Sequence, residues 1–159
     1  EAGIRDRVSC LVGSEMCIRD RTLLEREKFA FAHNSDCRGD AIFSPVVNGE
    51  TLSQPQIPVS LPTYDEIIGS DGITDANYNE RILSMLNPDG LNVYTIHAEV
   101  EGVARQEMFD DFLARAKALG VEIVPLGDLL SATDRHPLGR IVPKESPGRE
   151  GWIARADFE

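Results

Sequence analysis

Cysteine is scarce in this sequence, and what there is forms no framework. Cys10, Cys17 and Cys37 are odd in number and lack the paired spacing of a metal site. That argues against both a disulfide scaffold and a cysteine-built zinc site. Long apolar runs are missing too. None approaches the roughly 18 residues that a membrane span requires. The N-terminus carries no charged segment leading into an apolar one, so no secretory signal is expected. Positive charge is in short supply, with 16 Lys and Arg against 27 Asp and Glu and a formal charge of −11. Such a surface repels phosphate, so nucleic acid is excluded as a partner and no general electrostatic pull toward anionic lipid is expected. What remains is the composition of an ordinary globular protein, 42% hydrophobic and 27% charged over 159 residues. That length supports one domain with a core.

The first 21 residues differ from the rest. Ile4-Arg-Asp-Arg7 recurs as Ile18-Arg-Asp-Arg21, and neither helical nor strand periodicity runs between the copies. Four acidic and four basic residues balance here, which leaves 23 acidic and 12 basic residues of the totals for the remainder. The string Ser14-Glu-Met-Cys-Ile-Arg-Asp-Arg21 resembles translated sequencing-adapter read-through. Residues 1–21 are therefore read as a non-native segment without evolved structure, dispensable for the folding of residues 22–159.

From Thr22 onward the pattern is of alternating helix and strand. Thr22–Ala30 is rich in helix formers, and Phe29–His33 is a short candidate strand. An Asn34–Gly39 loop leads into an irregular Pro/Gly/Asn/Ser-rich stretch up to Pro55. Ile57–Leu61 is apolar but holds Pro58, which predicts a short or edge strand. Thr63 and Glu66 form a candidate capping box for a short helix closed by Gly69. A helix is expected over Asp75–Leu86, with Tyr78, Ile82, Met85 and Leu86 on its apolar side. Leu91–Ile96 has the strongest strand pattern. Val103–Leu119 is the most regular helix, its buried stripe running through Met108, Phe109, Phe112, Leu113, Ala116 and Leu119, with Gly120 as its cap. Val121–Val124 reads as a strand and Leu126–Leu130 as a helical turn or two. Strand, long helix and strand make a βαβ unit, which predicts an α/β fold with a parallel sheet or barrel. Beyond Thr133 the sequence is loop-like, with Pro137, Pro143 and Pro147.

Polar residues just past the C-terminal end of a strand are the usual catalytic ones in such folds. The apolar run Val93–Ile96 leads directly into His97, followed by Glu99 and Glu101. A histidine there can move a proton near neutral pH while a neighbouring carboxylate holds its tautomer. A hydrogen-bonded structural histidine with two solvated glutamates is the competing reading. One histidine with two carboxylates is thin evidence for a metal. In Asn34-Ser-Asp-Cys-Arg-Gly39, Asp36 could orient a catalytic histidine and Arg38 could pair with a carboxylate or phosphate, against a plain Asn/Asp-stabilised turn. Cys37 reads as a buried, inert thiol. Gly148–Trp152 suggests a tight backbone path with Trp152 packed on the domain, and His33 and His136 read as surface residues.

Five colinear segments carry a family resemblance. They are Asn34-Ser-Asp-Cys-Arg-Gly39, Gln56-Ile-Pro-Val-Ser-Leu-Pro-Thr-Tyr-Asp-Glu-Ile-Ile-Gly69, Val93-Tyr-Thr-Ile-His-Ala-Glu-Val-Glu-Gly102, Pro137-Leu-Gly139 and Gly148-Arg-Glu-Gly-Trp152. Together they resemble the formamido-arabinose-phosphoundecaprenol deformylases, a branch of the NodB-type polysaccharide deacetylases, from Thr22 to the C-terminus. The resemblance implies that residues 22–159 are the C-terminal portion of a distorted, incomplete (β/α) barrel with a tail. It implies a metal-dependent hydrolase that removes an N-formyl group from an undecaprenyl-phosphate-linked sugar during the aminoarabinose modification of lipid A. A cytoplasmic location follows from it, with the cytoplasmic face of the inner membrane as the place of any peripheral association. His97 matches the family's late-strand general acid. Asp36 falls in the late Asp motif that would support it, and Arg38 and Glu99 are the candidate substrate contacts.

One departure qualifies the match. The family's metal ligands lie in an Asp-Asp and a His-x-x-x-His motif, and nothing in residues 1–33 resembles them. A divalent ion is expected of a full-length member, its ligands are absent from this sequence, and the 159-residue chain is expected to be inactive. Two other functions compete: a NodB-type deacetylase of a different N-acyl sugar, and a non-catalytic piece that binds a lipid-linked sugar.

Overall fold

A computed structural model describes residues 20–130, 135–145 and 151–158. The chain divides into two units, one running up to Val59 and resuming at Leu126, the other Ser60–Pro125.

In the first unit, α1 (Asp20–Arg26) is followed by β1 (Ser44–Val47), β2 (Glu50–Thr51), α5 (Leu126–Leu130), β3 (Leu138–Glu145) and β4 (Trp152–Asp157). The four strands form one mixed sheet in the order β2-β1-β3-β4. Only β1 and β3 run parallel, through Ser44–Leu138 and Pro45–Gly139, and the other pairs are antiparallel. The sheet thus forms in stretches that the sequence reads as irregular. Asn48 and Gly49, both at positive φ, close the β1–β2 hairpin. Pro143 lies opposite Ala154 in a part of β3 that, among the described residues, pairs with β4 alone, the kind of edge position to which proline in a sheet is confined. Trp152 opens β4 and packs on a core of Leu23, Cys37, Phe43, Val47, Leu52, Ala154 and Ala156. Residues 148–150 of the motif containing it lie outside the described residues.

Two strands expected in this unit are reduced to single bridges. Phe29–His33 gives way to one bridge between Asn34 and Gln56 just beyond it, and Ile57–Leu61 keeps one bridge among the described residues, from Val59 to Arg38, next to Pro58. Gly39 lies where a Cβ would come within 2.9 Å of the Ala156 Cβ and 3.1 Å of the Pro58 Cβ, so no other residue fits there without displacement.

The segment read as non-native ends inside α1, which begins at Asp20; residues 1–19 lie outside the described residues. Leu23 is only 3% exposed. Removing residues 1–19 while keeping α1 is expected to leave the melting temperature unchanged. Leu23→Ala is expected to cost roughly 2–5 kcal/mol, since a buried leucine loses its transfer energy and leaves a cavity. Denaturant unfolding of both variants checks the pair, and a marked loss on removing 1–19 would contradict the non-native reading.

Glu27 ties the end of α1 to the sheet by accepting from Ser53 N at 3.0 Å and Gln54 N at 3.2 Å. Burial opposes its ionisation, but these donors outweigh it and hold the carboxyl below its ordinary range. A carboxyl depressed on folding contributes stability above its unfolded pKa and loses it as pH falls through the folded one. Acidification below the usual glutamate range is therefore expected to release this tie. Hydrogen exchange at Ser53 and Gln54, corrected for intrinsic rate between pH 6 and 3, reads it.

The second unit holds α2 (Tyr64–Ile67), α3 (Asp75–Ser84), a π-helical turn (Val100–Ala104) and α4 (Gln106–Ala118). The predicted capping box is present: Thr63 N donates to the Glu66 carboxylate at 2.9 Å, and Gly69 comes after the helix at positive φ. Thr74 and Asn77 cap α3 in the same way. Gly120, again at positive φ, closes α4: Gly120 N donates to Lys117 O and Val121 N to Ala116 O. The core gathers Leu61, Ile73, Tyr78, Ile82 and Phe112, with Met108, Phe109 and Leu113 packed against it. Leu119 departs from the predicted stripe and is 66% exposed, because the helix has ended at Ala118.

The expected strands Leu91–Ile96 and Val121–Val124 join no ladder among the described residues, so the parallel βαβ unit is not formed there. Both are without regular secondary structure and flank α4 in the chain. Val93 O accepts from Ser60 N and Leu61 N, and Val93 N donates to Ser60 Oγ at 2.9 Å. The pairing stops there because Pro62 has no N–H and Thr63 already caps α2. Strand propensity without a partner forms no strand. The observed class is mixed α/β with an open four-stranded sheet.

Candidate active site

The apolar segment from Val93 ends at His97, whose ring is 38% exposed. Both peptide groups of His97 are engaged. Its O accepts from Val100 N at 3.0 Å and Glu101 N at 2.9 Å, and its N donates to Glu101 Oε2 at 2.8 Å. These bonds begin the π-helical turn, in which Ala104 N donates to Glu99 O and Arg105 N to Val100 O. A turn wound this wide is uncommon and is frequently found at functional sites.

Asp65 is the carboxylate near the ring, its Oδ1 lying 3.8 Å from His97 Nδ1. That is too long for a direct hydrogen bond, but within ion-pair range once the imidazole is protonated. Thr63 Oγ1 donates to the same oxygen at 2.6 Å. Beside them, Tyr64 donates to Asp75 at 2.5 Å, and Arg105 reaches both Asp75 (2.9 Å) and the Tyr64 oxygen (3.3 Å). The hydrogen bond to Asp75 raises the Tyr64 phenol above its ordinary range, and burial adds to this. The same bond, helped by Arg105, holds the Asp75 carboxyl low despite partial burial.

Glu101 is buried, at 1% exposure. Its second oxygen accepts from the Tyr94 hydroxyl at 3.2 Å, and Tyr94 and Tyr78 share a hydrogen bond of 3.0 Å. Burial pushes Tyr78 up to about 12 and raises Tyr94 further, so both phenols stay protonated and available as donors.

The remaining sequence candidates are placed as follows within their own units. Glu99 is exposed two residues beyond His97. Asp36 lies in the first unit, 6% exposed, paired with Arg26 and 3.4 Å from Gln56 Nε2, while its N donates to Gln56 Oε1 at 3.2 Å. Arg38, also buried there, bridges to β4 through its backbone, with its N on Ala154 O and its O on Ala156 N. Cys37 is fully buried, as expected of an inert thiol. His33 and His136 are half-buried rather than surface residues; the His33 Nδ1 is enclosed without a hydrogen-bond partner, and His136 has partners of its own. Sequence reasoning passed over Asp65 and the part of Glu101 as a buried acceptor. The capping motif Thr63–Glu66 signals the helix start on which Asp65 sits, but nothing local pairs it with a residue 32 positions away.

No family model matches the chain. Over 136 residues it is 48% identical to a protein of Shewanella sediminis named probable 4-deoxy-4-formamido-L-arabinose-phosphoundecaprenol deformylase ArnD, covering 85% of this chain and 43% of that one. It is 40% identical over 136 residues to a protein of the same name from Wigglesworthia glossinidia brevipalpis, covering 84% of this chain and 46% of that one. The chain thus spans less than half the length of these curated relatives.

Proposed function

We propose that this chain, a relative of the formamido-arabinose-phosphoundecaprenol deformylases over most of its length, is part of a hydrolase that removes the N-formyl group from that lipid-linked sugar. The supporting observation is the placement of His97: a partly exposed imidazole at the end of an apolar segment, backbone-clamped, with Asp65 beside Nδ1. In amide hydrolysis the amine leaves poorly unless it is protonated. His97 is the group that delivers this proton, and the Asp65 carboxylate, 3.8 Å from Nδ1, faces the ring that must carry it. Glu99 meets a polar group of the sugar. The substrate places the protein in the aminoarabinose modification of lipid A, at the cytoplasmic face of the inner membrane. No helix among the described residues is long and apolar enough to cross a membrane.

The fold that goes with this reading is the C-terminal part of a distorted, incomplete (β/α) barrel. Its support in the second unit is the order of apolar strand-like sequence, long helix and apolar strand-like sequence around α4, with Ile123 67% exposed. The divalent ion of such hydrolases does not fit the described residues. Among them no three His, Cys, Asp or Glu converge, and His97 has one carboxylate at 3.8 Å.

The test is product analysis with a full-length protein carrying this segment. Formate is expected from the N-formyl substrate, with the N-acetyl analogue processed far more slowly. Preferential release of acetate would favour a deacetylase of another sugar, and release of neither would favour a binding role.

A further inference from the structure

We infer that Glu101 is a positioning residue for His97, acting as a buried double acceptor that ties the histidine backbone to the hydrophobic core. Its two oxygens are used separately: Oε2 takes the His97 N–H at 2.8 Å and Oε1 the Tyr94 hydroxyl at 3.2 Å. From Tyr94 the connection continues to Tyr78, which is 1% exposed and packs with Ile82 and Phe112, and the Tyr94 ring lies 5.4 Å from that of Phe112. The Glu101 N–H returns to the His97 carbonyl, so one residue closes a ring around the histidine peptide. Burying a carboxylate is costly unless its lone pairs are satisfied, and here the satisfied pairs specify one backbone geometry. Glu99, two residues earlier, is exposed and makes no such tie. The Glu-x-Glu pair that looks symmetrical in sequence is thus divided between a solvent-facing residue and an internal clamp.

The clamp itself is independent of what His97 does; its consequence for catalysis rests on the proposed general-acid reading. Backbone exchange therefore tests it in the 159-residue chain without any substrate. Glu101→Leu keeps an apolar volume but leaves the His97 N–H and the Tyr94 hydroxyl without their acceptor. Exchange of the His97 amide is expected to accelerate about tenfold to hundredfold, the range for a hydrogen bond to a charged group. The amides of Phe112 and Ala116 in α4 should change by less than about threefold, since the helix's own backbone bonds protect them and the clamp bonds neither amide. Glu101→Gln should restore most of the protection. Its carbonyl still accepts from His97, and its amide can donate to the Tyr94 oxygen while Tyr94 donates to Tyr78.

Unchanged His97 exchange in Glu101→Leu would overturn the inference. So would acceleration in step with Phe112 and Ala116, which marks a general structural loss. If Glu101→Leu does not fold, Tyr94→Phe decides. It removes one of the two donors on Glu101 and should speed His97 exchange severalfold with α4 unaffected, and no change at His97 refutes the clamp. A protected His97 amide combined with full turnover in His97→Ala would overturn the general-acid reading alone.

Discussion

Replacing His97 with Ala in a full-length protein that carries this segment is expected to lower kcat by roughly 10²–10⁴ while leaving KM nearly unchanged. A positioned acid acts as the carbon–nitrogen bond breaks, so its loss falls on the transition state and not on the bound substrate. Three roles for the histidine give three signatures on one preparation. A general acid leaves bound metal and melting temperature near normal while turnover collapses. A metal ligand loses metal and is partly rescued by high metal concentration. A structural histidine lowers the melting temperature while the folded fraction keeps its kcat. The ring is more than one-third exposed, which weighs against the structural role. Near-normal kcat in a metal-replete variant would remove His97 from the mechanism.

The second large effect is an all-or-none one. The purified 159-residue chain is expected to release no formate from the lipid-linked formamido sugar, with or without added divalent metal, and to bind no stoichiometric metal. The Asp-Asp and His-x-x-x-His motifs of the NodB-type deacetylases have no counterpart in residues 1–33, and no ligand cluster forms among the described residues. Water is activated at neutral pH in such hydrolases by a metal held with several deprotonated ligands, and affinity falls steeply when that set is incomplete. Formate release above the substrate's own background, measured together with metal analysis of the dialysed protein, would overturn this expectation.

The helices were legible because their signals are local. The capping pairs Thr63–Glu66 and Thr74–Asn77, the positive-φ glycines after α2 and α4, and the apolar stripe through Phe112 and Ala116 lie within a few residues of the backbone they organise. The strands were not. Leu91–Ile96 has every intrinsic mark of a strand and forms no ladder among the described residues, because the Ser60–Leu61 segment it bonds to is interrupted at Pro62. The stretches around Pro45, Gly139 and Pro143 carry breakers and still form the sheet, because each meets a complementary edge.

The same division runs through the site. By itself the sequence determined that His97 comes directly after an apolar run, that Glu99 and Glu101 alternate beyond it, and that 136 residues are 48% identical to a protein named as a probable deformylase. Only tertiary structure decided that Asp65 comes within 3.8 Å of the ring, and that Glu101 turns inward to Tyr94 while Glu99 faces water. The physical reason is sequence separation. A cap or an apolar stripe is set by chain geometry within one or two turns, whereas the partner of a carboxylate is set by which distant segments fold against it. Alternating glutamates have no intrinsic inside and outside until a core supplies one.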